Sequence, residues 1–253
     1  LWKQFCETKM HQKFAAENSF IGKFNTIYTG YPGTWKFITP DKTIPSPWKI
    51  NNKSVIKIIW ASHHTIFPND SGLAYSNFLQ YAKDIKEFIT HNKYIHIAFK
   101  PHPLLRNNLY IHPDWGVIKT NNYYEFWKNL ENGQLEEGEY HNLFNFSDAL
   151  IFDSGSFVAE YLYVNKPSIF CWRDDHIPEQ FNDFGKLALN IHQKAQNFDD
   201  VKKFIENVCQ KIDPKITERK QFYYHWLIPP NNQSPSENIF DFLNKTFKIT
   251  PTK

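Results

Sequence analysis

Asp153-Ser154-Gly155-Ser156 places a carboxylate, two hydroxyls and a glycine in four consecutive residues. They follow the apolar run Ala149-Leu150-Ile151-Phe152 and precede a helical stretch over 157–164, so they occupy a strand-to-helix bend. A helix start presents unpaired N–H groups and the positive end of the helix dipole. Small residues let an anion reach that backbone, and Ser154 and Ser156 add hydroxyl donors. The chemistry this suits is the seating of a pyrophosphate. The same residues also describe an ordinary turn with a serine N-cap. Glu160 lies four residues beyond Ser156, on the same helix face. Its carboxylate can accept from two adjacent ribose hydroxyls, or stand as a solvated glutamate.

Lys100-Pro101-His102-Pro103 follows a second apolar run, 94–99. The two prolines stiffen the loop and fix how the lysine and histidine are presented, with Arg106 within reach. Cations there would offset charge on a leaving nucleotide; lone cations after strands are also ordinary surface groups. Ser62-His63-His64-Thr65 follows a third run, 55–61. A histidine at that place can touch phosphate or act as a general base. Metal binding by the pair is discounted: neighbouring side chains are expected to diverge, no carboxylate stands at ligand spacing, and the chain has no D-x-D pair. Trp172-Arg173-Asp174-Asp175-His176 is a further candidate for the same rim.

The elements that must position these residues alternate. Strands are expected over 55–61, 94–99, 149–152 and 167–172, with a weaker one at Trp115-Gly116-Val117-Ile118. Helices are expected over 73–91, 122–130, 141–146 and 157–164, and in the tail over 198–211, 216–225 and 236–245. Residues 132–140 read as an acidic surface loop. Alternation of this kind implies an α/β fold, a Rossmann-like parallel sheet with helices on both faces and ligands at the carboxyl ends of the strands. A helix over 7–18 and a strand over 25–29 come earlier. The proline-rich stretch 39–50 is a linker, which separates 1–38 from a main domain at 51–247. The first forty residues read as the end of a preceding domain, so a fragment is expected.

The formal net charge of +3 gives no case for nucleic-acid binding. Cys6, Cys171 and Cys209 are too few and too far apart for a disulfide framework or a zinc ribbon. No apolar run reaches the roughly 18 residues of a membrane span.

Taken in order, the segments Thr29-Gly30-Tyr31-Pro32, Trp60-Ala61-Ser62-His63-His64, Lys100-Pro101-His102-Pro103, Ser147-Asp148 through Ser156, and Asn165-Lys166-Pro167 resemble the CDP-glycerol glycerophosphotransferase family. Those enzymes build teichoic-acid-like and polyol-phosphate capsular polymers. The resemblance implies the carboxyl-terminal, nucleotide-binding half of a two-domain GT-B fold, with 1–38 the remnant of the other half. It implies His102 and His64 in catalysis, Lys100, Ser154, Gly155, Ser156 and His63 on the donor phosphates, and no metal or cofactor. The stretch from Asp153 to Glu160 also looks like the nucleotide site of UDP-sugar 2-epimerases, which gives Glu160 the ribose. Gly155 departs from the tyrosine-and-serine loop usual in teichoic polymerases, so the donor base stays open. The implied partners are a nucleotide-diphosphate donor such as CDP-glycerol and a polyol-phosphate or polysaccharide acceptor. The implied location is cytoplasmic, and an amino-terminal part beyond this chain leaves room for peripheral attachment to the membrane. A UDP-sugar glycosyltransferase or epimerase, and a non-catalytic partner-binding domain, are the alternatives.

Overall fold

The four continuous apolar runs become the four inner strands of a parallel sheet. A computed structural model describes residues 2–41, 43–50, 52, 54–67, 75–173 and 177–247. The chain begins with a two-stranded parallel sheet, β1 (Gln4–Cys6) and β2 (Thr26–Tyr28), joined through α1 (Lys9–Glu17) and followed by the single turn α2 (Trp35–Ile38). The main unit then runs β3 (Ile56–Ala61), α3 (Phe78–His91), β4 (Ile95–Phe99), α4 (Leu105–Ile111), α5 (Gly116–Asn129), β5 (Gly133–Leu135), α6 (His141–Phe146), β6 (Ala149–Phe152), α7 (Phe157–Glu160), β7 (Ser168–Cys171), α8 (Asp183–Leu189), β8 (Gln193–Ala195) and α9 (Phe198–Cys209). It closes with α10 (Ile216–Phe222) and α11 (Pro235–Phe247).

The large sheet has the order β5-β4-β3-β6-β7-β8, with every pairing parallel. Counted from β3, that is the 3-2-1-4-5-6 order of the Rossmann fold, and the strand order reverses between β3 and β6. Side chains alternate between two cores, as the two-residue period of a strand requires. Ile58 and Trp60 pack with Phe78, Tyr81, Phe99, Trp127 and Phe204 on one face. Ile59 and Ala61 pack with Phe144, Leu150, Phe152, Val158 and Leu162 on the other. Burial on both faces is why these strands read as unbroken apolar runs.

Two expectations are corrected, and one strand was not expected at all. Trp115-Gly116-Val117-Ile118 is not a strand: Gly116 takes φ 67° and opens α5, leaving Val117 and Ile118 exposed. The strand beside β4 is instead β5, inside the stretch expected to be only loop, where Gln134 is buried. The other edge strand, β8, lies just before the tail helices, in a stretch for which the sequence gives no element. Of the helix expected over 73–91, residues 73 and 74 lie outside the described residues and the helix begins at Phe78.

The proline-rich stretch ends docked rather than free. Trp48 is buried edge-on to His96, and the Lys49 amide donates to Gln134 Oε1 at 2.9 Å. The amino-terminal piece packs on the carboxyl-terminal one: Tyr28 donates to the Ile228 carbonyl, Asn238 to that of Thr29, and Trp2 and Phe5 lie against Phe242. Gly30 stands at this junction with φ 83°, where a Cβ would come 3.0 Å from Pro229 and Pro235. Among the described residues no helix is long and apolar enough to cross a membrane.

Candidate functional site

The loops after β3, β4 and β6 meet at the carboxyl ends of the central strands, at the strand-order reversal. The ladder continues past the strands to hold them together: the Lys100 amide donates to the Trp60 carbonyl at 2.8 Å, His102 to Ser62 at 2.9 Å, and Asp153 to Ala61 at 3.3 Å. Between these loops is a cavity of about 300 Å³, lined among others by Ser62, Lys100, His102, Ser154, Ser156 and Glu160. Lys100, His102, Ser154, Ser156 and Glu160, each given a role from the sequence, therefore share one space.

Lys100 is only 7% exposed, and its Nζ donates to the Gly138 carbonyl at 2.8 Å. Burial pulls its pKa down, while Glu136, Glu139 and Glu137 pull it back up. It is a cation held at a fixed point beside hydroxyl donors. Ser156 opens α7, yet its hydroxyl makes no cap bond. Ser156 thus holds the N-cap position without capping through its side chain, and that hydroxyl is not spent on the helix. The helix itself is a single α-turn continued by a 3-10 turn over 161–164. So short a helix carries little dipole, and positive charge at the site comes from Lys100 instead.

Gly155 points elsewhere. A Cβ there would meet Tyr75 at 3.7 Å and Phe181 at 3.9 Å, ordinary contacts, and it does not line the cavity. The need for a glycine at this bend is not evident from its surroundings. Asp153 also turns away from the cavity. Its carboxylate, 2% exposed, accepts the amides of His63 (2.5 Å) and Asn77 (2.6 Å) and so ties the loop after β3 to the start of α3. Burial pushes Asp153 up to about 7, against the pull of those amides and of Arg173.

Glu160 reaches the cavity with one oxygen already engaged: Tyr140 donates to its Oε2 at 2.7 Å. Burial raises its pKa and the Tyr140 bond lowers it. Tyr140 and Glu137 also line the cavity. Sequence reasoning missed both, because the segment carrying them reads as polar loop; no periodic signal marks it.

His63 and His64 do not line this cavity but stand behind His102. Ring centroids are 4.2 Å apart for His63–His64, 4.2 Å for His64–His102 and 5.2 Å for His63–His102. The two neighbouring side chains therefore do not diverge. The loop after β3 turns immediately, with the Ile66 amide on the His64 carbonyl at 2.9 Å, and outside a strand the alternation of side chains lapses. Burial and mutual repulsion pull His63 down to about 3 and His102 down to about 4. His102 Nδ1 accepts the Leu104 amide at 3.2 Å, which places the proton of the neutral ring on Nε2. Arg106 does not line the cavity itself but pairs with Glu137, which does, and with Asn121 and the Tyr124 ring. Arg173 donates to the Thr65 carbonyl at 3.2 Å; Asp174, Asp175 and His176 lie outside the described residues.

A Rossmann-ordered parallel sheet with a polar cleft at its reversal point is the architecture of one half of a GT-B fold. Solved structures of that type are similar along nearly the whole chain. The wall teichoic acid polymerase TagF aligns with a TM-score of 0.63 at 16% identity, covering 98% of this chain and 58% of that one. MnaA from S. aureus, solved with UDP, aligns at 0.59 and 14% identity, covering 100% and 62%. The UDP-GlcNAc 2-epimerase of Methanocaldococcus jannaschii, solved with UDP-GlcNAc and UDP, aligns at 0.54 and 16% identity, covering 96% and 61%. The chain belongs to the CDP-glycerol:poly(glycerophosphate) glycerophosphotransferase family, whose sequence profile matches residues 5–243. No curated protein sequence matches it. The chain spans about three-fifths of the length of the structures it resembles.

Proposed function

We propose that this chain is the donor-binding unit of a transferase that moves glycerol phosphate from CDP-glycerol to the hydroxyl of a polyol-phosphate or polysaccharide acceptor. The observation that carries the reading is the shared cavity: a buried lysine, two serines and a glutamate face one space at the place where such sheets bind nucleotides. Membership of the glycerophosphotransferase family supports the choice of donor.

In the reaction, the acceptor oxygen forms a bond to the β-phosphorus, the bond from that phosphorus to the bridging oxygen breaks, and CMP leaves. Lys100 offsets the charge that grows on the leaving phosphate, and Ser154 and Ser156 donate to its oxygens. The Nε2–H of neutral His102 supplies a further donor from the opposite wall. Donors fixed before the reaction stabilise developing charge without reorganising. Glu160, steadied by Tyr140, accepts from the ribose hydroxyls with its second oxygen. His63 and His64 support His102 rather than facing the donor. The proton of the acceptor goes to a base in the amino-terminal domain of the complete enzyme, and no step calls on a metal.

Calorimetry with CDP, CMP, UDP and UMP tests this. CDP should bind, and more tightly than UDP, with Ser156→Ala weakening it. A clear uridine preference would move the reading to the UDP-dependent enzymes of the same fold. No binding of any nucleotide would overturn it.

A further inference from the structure

Three imidazoles meet at the edge of the cleft, and donor binding uses only one of them directly. One ligating nitrogen from each of His63, His64 and His102 lies within 4.8 Å of the other two. We propose that these three histidines form a binding site for a divalent transition cation of the zinc class, with its fourth position open toward the cleft.

Imidazole nitrogen is a good ligand for zinc, cobalt and copper and a poor one for magnesium or calcium. Three protein nitrogens with an open position is the arrangement of reactive rather than purely structural zinc sites. The rings are carried by parts of the fold that are already tied together. The His63 amide is fixed on the buried Asp153 carboxylate, and His102 is fixed on the Ser62 carbonyl. His63 Nδ1 lies 2.8 Å from Thr65 Oγ1, which itself accepts the Tyr75 amide at 3.1 Å. With Nδ1–H donating to that hydroxyl, the Nε2 lone pair remains for a cation, the outer-partner pattern common to ligating histidines.

Coordination asks for two adjustments. The nitrogens, which lie within 4.8 Å of one another, must settle at about 3.4 Å, the spacing set by zinc–nitrogen bonds of ~2.0–2.1 Å in a tetrahedron. If His102 binds through Nε2, its proton moves to Nδ1 and releases the Leu104 amide, an exposed group that water can take over, and the cation then replaces the Nε2–H as the group facing the donor phosphate. The fourth ligand fitting such a position is an anionic oxygen. Only that last point rests on the cleft holding a diphosphate; the three-nitrogen site does not.

The test uses Co2+ as a spectroscopic probe on the whole chain, freed of metal by chelation and without nucleotide. We expect one equivalent to give the visible absorption of four-coordinate cobalt, displaced by Zn2+. His64→Gln and His102→Gln should each weaken it at least tenfold, while His91→Gln, at the opposite end of α3, leaves it unchanged. Far-ultraviolet circular dichroism checks that the variants are folded. No visible band, or a band that survives in both folded cluster variants, would overturn the proposal. A parallel CDP titration in EDTA tests the donor reading alone. Histidine-dependent cobalt binding without CDP binding would leave the cation site standing and remove the donor reading, and the converse result would do the opposite.

Discussion

Replacing Lys100 with methionine keeps most of the side chain's length and removes its charge. Lys100 is 7% exposed, its ammonium is anchored on the Gly138 carbonyl at 2.8 Å, and it shares a cavity of about 300 Å³ with Ser154 and Ser156. Two unit charges ~4 Å apart at an effective dielectric of about 20 attract by roughly 4 kcal/mol. Glu136, Glu137 and Glu139 already compensate part of that charge, so the full attraction is not lost on mutation. A charge-assisted hydrogen bond is usually worth about 1.5–3 kcal/mol. A loss of ~2–3 kcal/mol corresponds to roughly 30- to 150-fold weaker CDP binding. Calorimetry with CDP and with cytidine separates this from general damage. CDP affinity should fall by that amount while cytidine changes by less than about threefold, and the loss for CDP should shrink as salt rises. CDP binding within about threefold of the unmodified protein, or an equal loss for cytidine, would refute the placement of a phosphate beside Lys100.

Further outcomes follow from the same geometry. Glu160→Gln should weaken CDP by ~1–3 kcal/mol but barely affect its 2′,3′-dideoxy analogue, because the lost charge serves the ribose hydroxyls; equal losses for both nucleotides would remove that role. Gly155→Ala should leave CDP affinity within about twofold and the urea midpoint nearly unchanged, since its Cβ meets only ordinary contacts with Tyr75 and Phe181; a large loss would show that the bend needs a glycine. Stability should fall between pH 7 and pH 5. His96 and His192 are buried, held by Gln134 and by Ser168 and Val158, and burial lowers each to about 4 from an ordinary 6.5. The unfolded chain takes up protons first, so their stability is complete above about 6.5 and is lost as pH falls toward 4. At pH 5 the loss is about 2 kcal/mol for each, and an unchanged urea midpoint between pH 7 and pH 5 would contradict it.

The inner strands were legible because burial on both faces leaves a continuous apolar run, as in Val55-Ile56-Lys57-Ile58-Ile59-Trp60. The edge strands were not. Gly133–Leu135 and Gln193–Ala195 are three residues each, largely polar, and stand out only through pairing with a neighbour. Val117 and Ile118 misled in the opposite direction, as exposed apolar residues at a helix start. At the site, residues directly after strands could be listed from sequence, because topology decides that such residues gather. Lys100, His102, Ser154, Ser156 and Glu160 were found that way. Which way each side chain turns could not be listed. Gly155 and Asp153 face away from the cavity, the two adjacent histidines converge, and Tyr140 arrives from a segment without periodicity.

A crystal structure of this chain soaked with CDP tests the central claim most directly. The account expects the diphosphate between the loops after β4 and β6, with a phosphate oxygen in hydrogen-bonding reach of Lys100 Nζ and of the Ser154 or Ser156 hydroxyl, and the ribose on Glu160. A nucleotide bound elsewhere, or one whose phosphates avoid Lys100, would contradict it.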